Sequence, residues 1–324
     1  MSNTGRRVAI TGASGYIGAG LVRELCREDD IEMVLGTDIV SPRSPLPAKA
    51  VFVHQDVSVP FGELFSEYRI DTVVHLAYVM RPDRDHKAAR RVNVGGTENV
   101  LAACSESGVS RLVYLSSTSV YGAHADNPTL LTEDSPTRPA PRFRYSVDKV
   151  EAERLIGEFP ASTGSQALVL RCCPVIGPRA DNFIARAFLK PVLVAVRGSD
   201  PLMQFIHEDD MVSCLVRCTL DTVAGVFNVA GEGAIRWSEM AATLGRRLVA
   251  LPAVLLYPAT QASWALHLQS DSPASGLDFI RYPWNVDTAK IETELGYQTR
   301  YTSRQAWEAY VEGRRKLKQG TAVG

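Results

Sequence analysis

Tyr145 and Lys149 stand four residues apart, a spacing that on a helix puts two side chains on one face, about one turn apart. A phenol and an ammonium held that way can exchange a proton with the oxygen of an alcohol or ketone. The positive charge favours the phenolate. The pair is therefore expected to bring the Tyr145 pKa down from its ordinary value of about 10 towards neutrality. Of the eleven tyrosines, only Tyr145 has Lys at this spacing. Alone, the pattern also fits a solvated pair on a helix surface, so its meaning depends on the elements that would position it.

Those elements begin at Arg7-Val8-Ala9-Ile10, a short apolar run that ends in Thr11-Gly12-Ala13-Ser14-Gly15-Tyr16-Ile17-Gly18. An apolar run, a glycine turn and then a helical pattern at Ile17, Leu21, Val22 and Leu25 open a βαβ unit. In such a unit Gly12 permits the tight turn, Gly15 admits a pyrophosphate to the backbone, and Gly18 lets helix and strand pack closely. The free N–H groups at the helix start then face phosphate. Asp38 lies twenty residues after Gly18, at the end of the next apolar run, where a carboxylate can accept both hydroxyls of an adenosine ribose. Asp56 and Val57 end a third strand and are placed to meet the adenine. Leu76 and Ala77 end a fourth, with Ala77 leaving room for a cofactor. Asn93 sits near the start of a long helix over Val92–Ser107 and could bridge to a neighbouring strand or touch chemistry. Arg111 to Leu115 forms a fifth strand that runs into Ser116, Ser117 and Thr118. Ligands of such sheets bind beyond the carboxyl ends of the strands, where a hydroxyl near Tyr145 can hydrogen-bond a substrate oxygen.

Tyr145 opens a helix expected to stop before Pro160, Gln166 to Cys172 is a sixth strand, and Val226 to Val229 looks like a strand returning to the sheet. Ser238 is expected to cap a helix running to Arg247, and Ser303 to Lys318 to form the last one. The expected organisation is a nucleotide-binding domain over 1–172 with a return segment at about 203–235. A substrate lobe is expected over 173–202 and 236–310, and a frayed tail over 318–324.

Composition bounds the partners. Hydrophobic residues make up 45 % and charged residues 22 %, with a net charge of −1. These are values of an ordinary globular chain, with no electrostatic case for nucleic acid or an anionic membrane. The apolar stretch Val249–Leu268 is broken by Pro252, Pro258, Gln261 and His267 and falls short of a membrane span. Six cysteines occur with no Cys-x-x-Cys. Cys214 and Cys218 read as core packing rather than half a metal site, and no metal site is expected. With no signal peptide before the first strand, a cytoplasmic, reduced protein is expected.

The motifs taken together resemble the extended short-chain dehydrogenases/reductases, the NAD-dependent epimerase/dehydratase family. The resemblance runs from Val8 to about Ala309. It rests on Thr11-Gly12-x-x-Gly15-x-x-Gly18, Asp38, Asp56-Val57, His75-Leu76-Ala77, Val92-Asn93-Val94, Ser116-Ser117-x-x-Val120-Tyr121-Gly122 and Tyr145-x-x-x-Lys149. Further matches are Leu170-Arg171 to Gly177-Pro178, Phe205-Ile206-His207-x-Asp209-Asp210 and Asp287-x-x-Lys290. It implies a Rossmann-like doubly wound parallel sheet, class α/β, with a small discontinuous C-terminal substrate lobe. It implies NAD as cofactor, with contacts at Gly12, Gly15, Tyr16, Ile17, Gly18, Asp38, Asp56, Val57, Leu76, Ala77, Asn93, Ser116, Tyr145 and Lys149. Tyr145 would be the general acid/base, Lys149 would hold the nicotinamide ribose and tune Tyr145, and Ser117 would orient the reacting oxygen. Hydride would pass between a substrate carbon and nicotinamide C4. The resemblance also implies a homodimer through a four-helix bundle built from the Val92–Ser107 and Tyr145 helices.

Two departures bear on the substrate, which by family default is sugar-like. Pro174 stands where nucleotide-sugar members carry Asn, and Met203 stands where many carry Arg. Thr118-Ser119 replace the Asp-Glu of 4,6-dehydratases, which need those extra acid/base groups. A ketone reductase or alcohol dehydrogenase acting on a partly apolar, non-nucleotide molecule is the alternative, with Leu255, Leu256 or Trp264 expected against its apolar part. A non-catalytic NAD-binding regulator is a third reading, disfavoured by the presence of Ser117, Tyr145 and Lys149. Asp38 would repel a 2′-phosphate and Ile39 offers no cation, so NAD is expected over NADP.

Overall fold

The computed structural model describes residues 5–80, 85–269 and 272–321. Its first half alternates strand and helix: β1 (Arg6–Thr11), α1 (Gly18–Leu25), β2 (Ile31–Asp38), β3 (Ala50–His54), α2 (Leu64–Glu67), β4 (Thr72–His75), α3 (His86–Arg90), α4 (Gly96–Ser107), β5 (Arg111–Ser117), α5 (Arg144–Thr163) and β6 (Gln166–Cys172). The second half is shorter pieces: β7 (Val175–Ile176), α6 (Phe183–Ala187), β8 (Val192–Val196), β9 (Leu202–Met203), β10 (Ile206–His207), α7 (Glu208–Leu220), β11 (Gly225–Val229), β12 (Ile235–Arg236), α8 (Trp237–Thr243), β13 (Arg247–Leu251), α9 (Ala253–Ala265), α10 (Ala289–Leu295) and α11 (Ser303–Thr321).

Seven strands form one sheet in the order β11-β6-β5-β4-β1-β2-β3, and every neighbouring pair is parallel. Parallel strands are covered on both faces, so their sequences are apolar throughout rather than alternating. Val8 and Ile10 pack with α1 and α7 on one side, and Ala9 packs with α2, α4 and α5 on the other. The expected doubly wound sheet is present, and the strand predicted to return to it is β11, paired with β6. The chain reverses its winding between β1 and β4, and a crevice opens there beyond the strand ends.

The remaining strands pair two by two, β10 with β7, β12 with β9 and β13 with β8. They are held by an aromatic cluster in which Phe188 lies 4.8 Å from Trp307 and Phe205 lies 5.7 Å from it, centroid to centroid. Cys214 and Cys218 place their sulfurs 4.0 Å apart inside the core of α7, as packing residues.

Several predicted boundaries are corrected. The helix expected from Val92 instead begins at His86, and its residues Arg91–Gly95 form a π-helical turn before α4. α5 does not stop before Pro160 but continues to Thr163, where Gly164 closes it in a left-handed conformation. Pro160 lies so near the end that it removes one donor without breaking the helix. Ser238 is inside α8 rather than capping it, because its N–H and hydroxyl both bond Asp200. α11 stays helical to Thr321, past the expected fraying at Lys318, and residues 322–324 lie outside the described residues. Among the described residues no helix is long and apolar enough to cross a membrane.

Candidate active site

The glycine turn is built as its spacing predicts. Gly12 has φ of +73°, and a Cβ there would lie 2.8 Å from the Ala77 nitrogen. A Cβ on Gly18 would lie 2.1 Å from the Gly12 carbonyl oxygen, so no larger residue fits between turn and helix. The N–H groups of Tyr16, Ile17 and Gly18 donate to no protein acceptor among the described residues, the ordinary condition of a helix start. Asp38, at the end of β2, accepts the N–H of Ser14 at 3.0 Å and of Val40 at 3.1 Å. A carboxylate offers about four lone-pair positions, so capacity remains for a diol. These features fit the pyrophosphate and adenosine ribose of a dinucleotide.

Behind the turn runs a buried ladder. Thr97 Oγ1 donates to the Asn93 carbonyl at 2.7 Å and so accepts from His75 Nε2 at 3.2 Å. His75 Nδ1 then accepts from Thr11 Oγ1 at 2.7 Å, and that oxygen receives the N–H groups of Leu76 and Ala77. Burial, with the Lys149 charge nearby, pushes the His75 pKa down to about 3. The ring is therefore a neutral spacer, not an acid or base.

A cavity of ≈ 420 Å³ starts at Gly12, Gly15, Tyr16, Ile17 and Gly18 and passes Leu76, Ser116, Ser117, Tyr145 and Lys149. β5 supplies Ser116 and Ser117 from its carboxyl end, and α5 supplies Tyr145 and Lys149 from its first turns. The Ser117 side chain stands near enough to Tyr145 to favour its ionised form. Lys149 Nζ donates to the Leu115 carbonyl at 2.7 Å and to Tyr114 Oη at 3.1 Å, and lies 3.7 Å from the centre of the Tyr78 ring. Tyr78 also packs edge-on against Tyr145 and donates its hydroxyl to the Tyr145 carbonyl at 3.0 Å. Tyr78 and Tyr114 thus brace the Tyr–Lys pair, and no sequence signal had marked either.

The expected tuning of Tyr145 is corrected. Burial pushes its pKa up to about 12, and the Ser117 side chain only partly offsets this. Burial also brings Lys149 down to about 7, against the pull of Glu153. Desolvation is the largest cause of both shifts. As the pair stands, the phenol is a proton donor at neutral pH.

Other predicted residues fall elsewhere. Asp38, Asp56, Val57, Ala77 and Asn93 lie outside the lining of this cavity. Asp56 caps its own turn by accepting the Ser58 N–H at 2.8 Å, and Val57 is buried against Gly96. Asn93 bridges backbone: Oδ1 accepts Val79 N–H at 2.8 Å and Nδ2 donates to Val79 O at 3.4 Å. The Ser116 hydroxyl donates to Glu153, which is held in a buried ion pair by Arg171 at 2.8 Å. His207 caps α7 and stacks on Tyr301, and Asp210 receives Arg300 and the Tyr301 N–H, so that motif ties elements together. Tyr16 reaches across to Glu208, fastening the glycine turn to α7.

The far wall of the cavity is aromatic, formed by Phe188, Phe205, Trp237, Phe279 and Trp284 with Met203. Leu255, Leu256 and Trp264 do not form it. Leu255 is exposed, Leu256 packs with Val196 and Leu277, and Trp264 lines an adjoining cavity of ≈ 220 Å³ beside Tyr145.

Comparison with known proteins places this geometry. An uncharacterized protein of Mycobacterium tuberculosis is 29 % identical over 315 residues, 95 % of this chain and 84 % of its own length. The structure of MoeE5 in complex with UDP-glucose and NAD is similar at a TM-score of 0.72 and 27 % identity, over 96 % of this chain and 99 % of that one. UDP-glucose 4-epimerase of Thermotoga maritima, with UDP-glucose, shares the fold at a TM-score of 0.74 and 20 % identity, over 96 % and 99 % of the two chains. Residues 8–238 match the NAD dependent epimerase/dehydratase family, and with the crossover sheet, glycine turn and Tyr–Lys pair in place the chain belongs to that family of NAD-dependent extended short-chain dehydrogenase/reductase enzymes.

Proposed function

We propose that the chain catalyses reversible oxidation of a secondary alcohol at the Tyr145 end of the cavity, the step that epimerases, dehydratases and reductases of the family share. The observation that carries this reading is that Ser117, Tyr145 and Lys149 line one cavity with the glycine turn. Bound NAD supplies a hydride acceptor, and as NADH a donor, at nicotinamide C4. The backbone of Gly15 to Gly18 holds the pyrophosphate, and Asp38 takes the ribose hydroxyls. Asp56 and Val57 flank the adenine. Ser117 hydrogen-bonds the substrate oxygen, and Tyr145 gives it a proton during reduction. In oxidation the phenol must lose its own proton first, so this direction is favoured by rising pH. Lys149 holds the nicotinamide ribose and, as an ammonium, favours the phenolate.

A sugar-like carbinol is the family default, supported by the UDP-glucose in MoeE5. Net reduction or oxidation of a less charged molecule is the second reading, favoured by the aromatic far wall. We further infer a cytoplasmic homodimer through α4 and α5, which share one face of the sheet, and a division into a nucleotide domain over 1–172 with a return segment at about 203–235 and a lobe over 173–202 and 236–310.

The test is Tyr145→Phe with binding and turnover measured separately. Turnover should fall by about 10²–10⁴ while NAD affinity by calorimetry stays within twofold. Turnover near that of the native enzyme would exclude Tyr145 as the acid/base.

A further inference from the structure

Among the described residues that line the half of the cavity beyond Tyr145, none is charged. Among the described residues that line the cavity, Lys149 is the sole cationic side chain and no carboxylate is present. Lys149 is already directed at Leu115, Tyr114 and Tyr78. Four of the arginines near the lining in sequence are engaged elsewhere, Arg281 over the rings of Tyr257 and Tyr282. Arg171 is paired with Glu153, Arg179 with Glu208 and Asp209, and Arg186 with Asp181. Arg142 and Arg144 line the adjoining ≈ 220 Å³ cavity, which shares Phe143 and Tyr145 with this one. Pro174, which lines this one, has no side-chain amide, and the Gln204 amide is used at both ends by Val286.

A nucleoside diphosphate entering here would lose hydration without gaining charge-assisted hydrogen bonds. Phe188, Met203, Trp237, Phe279 and Trp284 would instead reward burial of hydrocarbon. The hydroxyls of Ser117, Ser119 and Tyr145 gather at the reacting end, where Ser119 Oγ is buried with no hydrogen-bond partner among the described residues, whereas the Asn182 amide in the lining is used by Val175 and Ala185. That distribution suits a molecule with one oxygen at one end and an apolar body behind it.

We propose that the substrate is a secondary alcohol or ketone carrying an uncharged ring-bearing or branched hydrocarbon body, not a sugar nucleotide. The proposal rests on the oxidoreduction assigned to Tyr145. In the oxidising direction the carbinol C–H bond breaks and its hydride goes to NAD⁺. The hydroxyl proton leaves through Tyr145, and ketone and NADH are the products. The reverse reaction consumes NADH and a proton.

The experiment uses the full chain with NAD. 1-Phenylethanol, 1-cyclohexylethanol, propan-2-ol and UDP-glucose are compared by calorimetry, NADH formation and, for UDP-glucose, 4-epimerisation. The two ring-bearing alcohols should give NADH with kcat/KM at least 10-fold above propan-2-ol, and UDP-glucose should neither bind nor react. Phe279→Ala, checked for folding by circular dichroism, should raise KM for 1-phenylethanol by about 10-fold. An unchanged KM would overturn the assignment of the aromatic wall to substrate. Micromolar binding or epimerisation of UDP-glucose would overturn the apolar assignment and leave the oxidoreduction intact. NAD binding with no turnover of any of the four compounds would overturn both.

Discussion

The two ends of the cavity are made by opposite means. At the glycine end the chain removes side chains: Gly12 and Gly18 leave no room for a Cβ, and the groups offered to a ligand are backbone N–H. At the far end it adds large side chains, from α6 through the segment before β10 to α8 and the loop before α10. The first end is continuous in sequence and specified by backbone shape. The second is assembled from distant segments and specified by volume. A cofactor common to many enzymes can be held by backbone, whereas a particular substrate has to be read by side chains.

The largest effect that would sharpen this contrast concerns the cations withheld from the far end. Glu153→Gln removes the counter-charge of Arg171, and both side chains are under one-tenth exposed. Breaking a buried ion pair from one side costs about 3–5 kcal/mol, which chemical denaturation would register as a lower midpoint. A loss below about 1 kcal/mol would mean that Arg171 can turn away from Glu153, and the absence of cations among the described residues of the far end would no longer hold.

A smaller effect separates the two ends directly. Gly18→Ala puts a Cβ 2.1 Å from the Gly12 oxygen. Overpacking of about 1–3 kcal/mol, if it falls on the bound state, corresponds to NAD affinity weaker by roughly 5- to 150-fold. Met203→Leu, which conserves volume in the far wall, should change NAD affinity by less than about twofold. Equal effects in calorimetry would erase the distinction.

The smallest effect lies at the seam. Lys149 titrates at about 7 in the folded chain, against an ordinary 10.5. Between those values the unfolded chain holds the extra proton, so the stability assigned to this group rises with pH. It is fully present above 10.5 and is lost as pH falls through about 7. The melting temperature of the native chain, measured against that of Lys149→Met, should therefore gain a few degrees from pH 7 to 10. A flat difference would show a solvated ammonium.

What the sequence disclosed follows the same division. The β1 turn, Asp38 and the Tyr145–Lys149 spacing are local patterns whose geometry follows from strand, turn and helix periods, and the sheet forms around them as expected. The aromatic wall was not legible, because Phe188, Phe205, Trp237, Phe279 and Trp284 are far apart in the chain and each alone reads as core. The Tyr145 pKa was misread for a different reason: the expected attraction to Lys149 is a pair property, whereas the burial that overrides it belongs to the folded surroundings. Tyr78 and Tyr114 escaped notice because bracing an ammonium requires no particular spacing.

The π-helical turn at Arg91–Gly95 gives the site a dependence on length. Its wider winding turns Asn93 inward to grip both the N–H and the carbonyl of Val79, and Val79 directly follows Tyr78, whose ring supports Lys149. Deleting one residue there would restore ordinary α winding with little rotation of the flanking turns, because a π-turn holds one extra residue at nearly the same register, but Asn93 would lose its inward place. Asn93 would leave Val79, and Tyr78 would lose its backbone anchor, without any residue that touches the cavity having been substituted. Single-residue insertions and deletions in this helix are therefore a route by which drift could retune proton transfer from outside the site, and gap placement here carries more information than residue identity.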